Sequence, residues 1–263
     1  MIGGRTFTYG GKNSADYGLF FAYIDSDMTN VDVEKNASYE ITSSKTRSSF
    51  HIVGRKHEDP LEREIEIISE KEITPSEERE IVRWLFDSPK YMRLTLNPFD
   101  YEQTFEYNGV FYNCYFTEER KLEFSDGVHG WSARIICDAP YGWSTVGNTS
   151  ATVNGSDTLN IINDSDDLTP SIPYHVTIEC SSFGDIILQN TSNNDLVTKF
   201  SDVSPDEVIE IDQYGQISTN MSNGIYERFN GKLPKLISGT NQITASGNFK
   251  ITISFRNPRR VAL

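Results

Sequence analysis

Catalytic side chains act in convergent groups, so the residues capable of chemistry come first. The four histidines, His51, His57, His129 and His175, are scattered along the chain. His175 falls on the polar phase of an alternating stretch, which fits an exposed or edge histidine rather than a ligand. Carboxylates are abundant, and a glycosidase needs only two of them about 5–9.5 Å apart. Abundance alone is a weak signal: Glu62, Glu64 and Glu66 alternate with Arg63, Ile65 and Ile67 and read as one solvated strand face. Asn163-Asp-Ser-Asp-Asp167 has the oxygen-rich start of a calcium loop but lacks the glycine and terminal glutamate of a hand-type loop. Tyr214, Tyr226 and Phe229 could stack on sugar rings, or fill or rim a core. There is no Gly-x-Ser-x-Gly elbow, no phosphate-cradling Gly-Lys-Ser/Thr loop and no His-Glu-x-x-His pair. No catalytic, cofactor-binding or metal-binding set is therefore expected, and the chain reads as a non-enzyme.

Cys114, Cys137 and Cys180 are odd in number and far apart in sequence, with no closely spaced Cys or His to complete a metal site. Cys137 and Cys180 lie on the apolar phase of strand patterns, which predicts buried free thiols made in a reducing cytoplasm. No secretory signal opens the sequence. The six Asn-x-Ser/Thr sequons, Asn148-Thr-Ser and Asn220-Met-Ser among them, are then chance in an Asn- and Ser-rich chain.

The 263 residues carry 38 acidic and 24 basic side chains, a net charge of -14. Residues 1–145 hold 25 acidic and 16 basic, a balance of -9, and no half is basic. A sequence-independent grip on nucleic acid needs clustered Lys and Arg, so that class is disfavoured. Apolar content of 37% and 12% aromatics suit a packed protein, and no run approaches the roughly 20 apolar residues that span a bilayer.

Two regions emerge, with a boundary at 141/142. In the first, Thr74 is a natural N-cap, Pro75 suits the first helical position and Glu77 completes a capping box. Ile81, Trp84 and Leu85 then share one helix face, and Asp87-Ser-Pro89 ends the helix. Strands are expected around Glu64–Ile68, Met92–Leu96, Val110–Phe116 and Trp131–Cys137. The polar run Thr42–Ser49 reads as a long loop or an extended arm. In the second region the small polar residues 144–157 read as a linker or opening loop. Every element beyond them reads as a strand: Thr158–Ile162, Tyr174–Cys180, Asp185–Gln189, Val208–Ile211 and the alternation Phe249, Ile251, Ile253, Phe255. Ser238-Gly-Thr-Asn241 and Ser246-Gly-Asn248 read as turns. Short strands at this spacing predict a sandwich or barrel.

Three segments carry a resemblance. Phe7-Thr-Tyr-Gly-Gly-Lys-Asn-Ser-Ala-Asp-Tyr-Gly-Leu19, Trp131-Ser-Ala-Arg-Ile-Ile-Cys-Asp-Ala-Pro-Tyr141 and the closing segment Asn230–Phe255, with Pro-Lys-Leu-Ile-Ser-Gly-Thr-Asn-Gln-Ile, resemble distal tail proteins of long-tailed bacteriophages in kind and order. The resemblance implies a mainly β fold: an N-terminal ring-forming β domain with one α-helix (1–141) and a C-terminal galectin-like β-sandwich (142–263). It also implies a homo-hexameric virion hub at the tail tip. That hub would join tail tube protein to tail-tip or baseplate proteins and let DNA pass, with no cofactor and no membrane insertion. The competing reading is a carbohydrate-binding β-sandwich protein.

Overall fold

The computed structural model describes residues 4–22, 37–43, 50–57, 60–69, 71–97, 109–124, 127–193, 196–222 and 224–259. They fall into two compact units, one running to Trp143 and one spanning Ser144–Arg259. The fold is mainly β.

The first unit contains an eight-stranded antiparallel sheet. Its strands are β1 (Gly4–Arg5), β2 (Phe7–Tyr9), β3 (Lys12–Asn13), β4 (Leu19–Ala22), β7 (Glu62–Ser69), β8 (Met92–Leu96), β9 (Tyr112–Phe124) and β10 (Gly127–Cys137), in the order β1-β4-β7-β10-β9-β8-β2-β3. Among the described residues β5 (Ala37–Ser43) and β6 (Phe50–His57) pair only with each other, as a separate ribbon. The polar arm of the sequence reading is thus bounded by strands at Ser43 and Phe50, and its residues 44–49 lie outside the described set.

One face of the sheet is dry because its strands alternate: Trp131, Ala133, Ile135 and Cys137 are all buried, as are Phe7, Tyr9, Leu94, Cys114 and Phe116. Helix α1 (Pro75–Leu85) closes this core with Ile81, Trp84 and Leu85. Its start follows from sequence chemistry. The Thr74 hydroxyl accepts the Glu77 N–H while the Glu77 carboxylate accepts the Thr74 N–H, satisfying two donors the helix cannot pair internally.

The second unit is one curled sheet wrapped around one core. Strand β11 (Gly142–Trp143) precedes it, and β12 (Gly147–Asn163) and β18 (Gly239–Phe255) run antiparallel in register over their full length. The other side of β18 is shared: β14 (Gly184–Asn190) pairs with its first half and β13 (His175–Cys180) with its second. β15 (Leu196–Val203) extends beyond β14, while β16 (Val208–Asp212) and β17 (Ile217–Thr219) extend beyond β13. α2 (Ile225–Arg228) is a single turn.

Midway along the β12–β18 ribbon Gly155 opposes Gly247, at φ +84° and +131°. A Cβ on Gly247 would sit 2.8 Å from the Asp185 carbonyl oxygen. Only glycine takes this backbone there without strain, and the paired bend lets one ribbon serve both layers of a sandwich. Val153, Leu159, Ile178, Leu188, Phe200, Ile243, Phe249 and Ile251 meet in the shared core.

Two expectations need correction. Residues 147–157 are not a linker but the first two-thirds of β12: Ser, Thr and Asn side chains face water while their backbone pairs with β18. Ser246-Gly-Asn248 is not a turn but the bend inside β18.

Candidate functional site

The three segments that carried the sequence resemblance become three locally self-closing structures. In the first, Gly10 and Gly11, both at positive φ (+56° and +84°), form the two-residue turn joining β2 to β3. A two-residue hairpin of this type needs that backbone at both positions. The Ser14 hydroxyl accepts the Phe7 N–H at 2.9 Å, and the Asn13 side chain caps the short helix Ser14–Tyr17 through the Ala15 N–H. The hairpin also anchors α1: the Trp84 indole N–H donates to the Tyr9 carbonyl at 2.9 Å, and the ring stacks on Tyr17 at 5.2 Å.

The second segment ends β10. The Cys137 N–H donates to the Leu61 carbonyl and the Leu61 N–H to the Ala139 carbonyl. The Asn113 amide donates to the Asp138 carboxylate at 2.9 Å. Cys137 lies directly opposite Cys114 on β9, so these two thiols, distant in sequence, are neighbours in the sheet. All three cysteines are free and buried. Burial raises the Cys114 thiol well above its ordinary value, with the neighbouring Cys137 adding to it, and burial raises Cys180 to about 12. Thiols in this state are inert packing groups.

The third segment is the loop leading into β18. Asn241 is fully buried; its side-chain oxygen accepts the Ile237 N–H, and its amide donates to the Ile237 and Gly239 carbonyls. Asn190 donates to the Lys235 carbonyl and to Asn241, and Asn163 donates to the Ile237 carbonyl. Three asparagines from β12, β14 and β18 thus supply the polar partners a buried loop needs.

One buried charged site of the second unit was not singled out in the sequence. Glu207 is fully buried and grips Arg228 of α2 through two bonds, at 2.6 and 3.0 Å. The Ser204 N–H and Thr219 hydroxyl donate to the same carboxylate. The Arg228 bonds lead the effects that hold its pKa down at about 2. No periodicity flags one glutamate in an acidic chain; the nearest signal is Ser204-Pro-Asp-Glu207, a capping pattern without a helix.

Among the described side chains, the residues singled out for chemistry do not converge. His129 lies in the first unit, its Nδ1 3.5 Å from the Ser69 carbonyl, and His175 in the second, 3.9 Å from Glu210. His51 and His57 belong to β6, where side chains are not described. Glu62 and Glu64 are exposed and Glu66 half-buried, with Glu64 paired to Arg134 across the ladder at 3.1 Å. In the Asn163–Asp167 segment Asp164 is engaged by Asn257 and Arg259, while Asp167 accepts the Thr169 N–H. Among the described residues no group of three or more His, Cys, Asp or Glu could hold a metal. Phe229 stacks on Phe200 at 5.1 Å, partly inside the core, whereas Tyr214 and Tyr226 are exposed. A small cavity of about 160 Å³ opens beside exposed Phe183, and Asp185 on its wall already pairs with Lys199. No helix among the described residues is long and apolar enough to cross a membrane.

The family model for a phage tail protein N-terminal domain matches residues 3–139, and that for a phage tail C-terminal domain matches residues 141–255. The chain belongs to this phage tail protein family. Its fold is similar to that of the SPP1 Dit (gp 19.1) protein, described as a paradigm of the hub adsorption apparatus in phages infecting Gram-positive hosts. That likeness has a TM-score of 0.61 at 13% identity and covers 96% of this chain and 98% of the other. A chain of the phage P2 baseplate in its activated conformation is similar at TM-score 0.44 and 10% identity, over 95% and 98%. No curated protein matches the sequence. The tail-protein resemblance read from the three segments agrees with the family, and the mainly β fold with one sizeable helix agrees with the expected class.

Proposed function

We propose that this tail protein is a distal hub: six copies close into a ring that joins the tail tube to the tip or baseplate and lets DNA pass. The observation that carries the reading is the likeness to SPP1 Dit over nearly the full length of both chains. Two features of the first unit support it. The β5–β6 ribbon pairs with no other strand among the described residues, and an isolated two-stranded ribbon is marginal in water until it packs on something. A neighbouring copy in a ring supplies that surface, and head-to-tail contacts close when the rotation closes. The -9 balance of residues 1–145 also suits a wall that DNA must slide past rather than bind. The ring, its neighbours and its place in the virion, after assembly in the bacterial cytoplasm, all belong to this proposal.

Gold-labelled antibody against the chain should decorate intact virions at the tail end far from the capsid. Label along the whole tube, or none on virions, would overturn the reading. The exposed rings of Tyr214 and Tyr226 favour a second reading, a sandwich that binds cell-surface saccharide. Binding on a glycan array that Tyr214→Ala and Tyr226→Ala abolish would support it; a blank array would remove it.

A further inference from the structure

The sheet of the second unit has three outer edges, and the chain treats them differently. The edge of β15 is covered by its own loop: the Asn230 N–H donates to the Lys199 carbonyl, its side chain accepts the Lys199 N–H and donates to the Val197 carbonyl, and Phe229 bridges to Phe200. The edge of β17 is three residues long, and the Tyr226 hydroxyl accepts the Ile217 N–H there. β12 is the exception. It is seventeen residues long, pairs with β18 along one side without a bulge, and pairs with no other strand among the described residues.

Open edges are templates for pairing, and proteins blunt them with lysine, proline, bulges or brevity. β12 carries no lysine, arginine or proline, and its one charge is Asp157. Gly155, at positive φ, divides it into two arms, 147–154 and 156–163. Towards the core it presents Val153, Leu159 and Ile161; towards water it presents Asn148, Thr152, Thr158 and Asn160, all exposed and uncharged. Ile162, 72% exposed at its end, is an apolar foothold.

We propose that the open edge of β12 receives an extended segment of another tail protein as an added strand. This rests on the hub reading above. The segment alternates apolar residues, which continue the core layer, with uncharged or basic polar ones that avoid the acidic chain. Backbone bonds supply the grip and side-chain alternation the register. A second copy pairing through its own β12 does not fit: in a head-to-tail ring the same edge of two copies never meets.

Amide hydrogen exchange of the full chain, free and in tails isolated from virions, tests the proposal. In tails, alternate amides of 147–163 should exchange at least about tenfold more slowly, because added pairing raises the local opening free energy. The ribbon 37–43/50–57 should also slow on ring closure. The double variant Thr158→Lys/Asn160→Lys places edge charges opposite neutral Thr244 and Gln242. It should melt like the parent as the free chain, and in tails its 156–163 amides should keep the free-chain rate. If 147–163 exchanges equally fast in both states while the ribbon slows, the inference fails and the hub stands. If neither slows, both fail. Slowing of 147–163 in the free chain at raised concentration would mean self-pairing and would overturn the partner named here.

Discussion

Glu207 and Trp131 hold the two units from within. The Glu207 carboxylate is fully buried with four donors on it and a pKa of about 2, well below that of a carboxylate in an unfolded chain. A depressed folded pKa contributes stability that is complete above the unfolded value near ~4.3 and is lost as pH falls towards the folded one. The second unit should therefore lose melting temperature between about pH 5 and pH 2. Glu207→Gln should flatten that acid dependence and cost about 3–5 kcal/mol at neutral pH, because Arg228 keeps its charge without its partner. Calorimetry across pH checks both; an unchanged acid slope would contradict the assignment. Trp131, fully buried against Phe86 at 6.2 Å, tests the first unit. Trp131→Ala should cost about 3–5 kcal/mol in denaturant unfolding. A loss below about 1 kcal/mol would mean the β10 phase is misassigned.

At the scale of elements, what was legible in the sequence is what repeats. The capping box of α1 and the alternations of β10, β13 and β18 each carry a signal over several residues, and each stands where it was read. The linker reading failed because residues 147–157 are small and polar, and their strand character comes from β18, a hundred residues away. The β12–β18 pairing also hid the bend at Gly247, as the β9–β10 pairing hid the Cys114–Cys137 neighbourhood. Glu207 was illegible for a different reason: a single buried carboxylate has no period. Limited proteolysis should cut at Ser144–Val146, where Thr145 and Val146 are exposed between strands, and spare 147–157. It should release a stable C-terminal fragment beginning there. Cuts within 147–157, or spread evenly through both units, would contradict β12 and the independence of the second unit.

For the whole molecule, the acidic balance of the first half is assigned to the channel of the proposed ring. Carboxylates on a channel wall keep duplex DNA centred in water, an effect reaching about 8 Å at physiological salt. Glu→Lys changes at channel-facing positions should slow DNA ejection without disturbing assembly, whereas a basic channel wall or unchanged ejection kinetics would place the charge outside. The central claim, that this tail protein closes into a six-fold ring, is tested most directly by its mass in solution. Light scattering behind gel filtration at micromolar concentration should give about six times the 29.8 kDa of one chain, alone or with tail tube protein added. A 29.8 kDa particle under both conditions would contradict it.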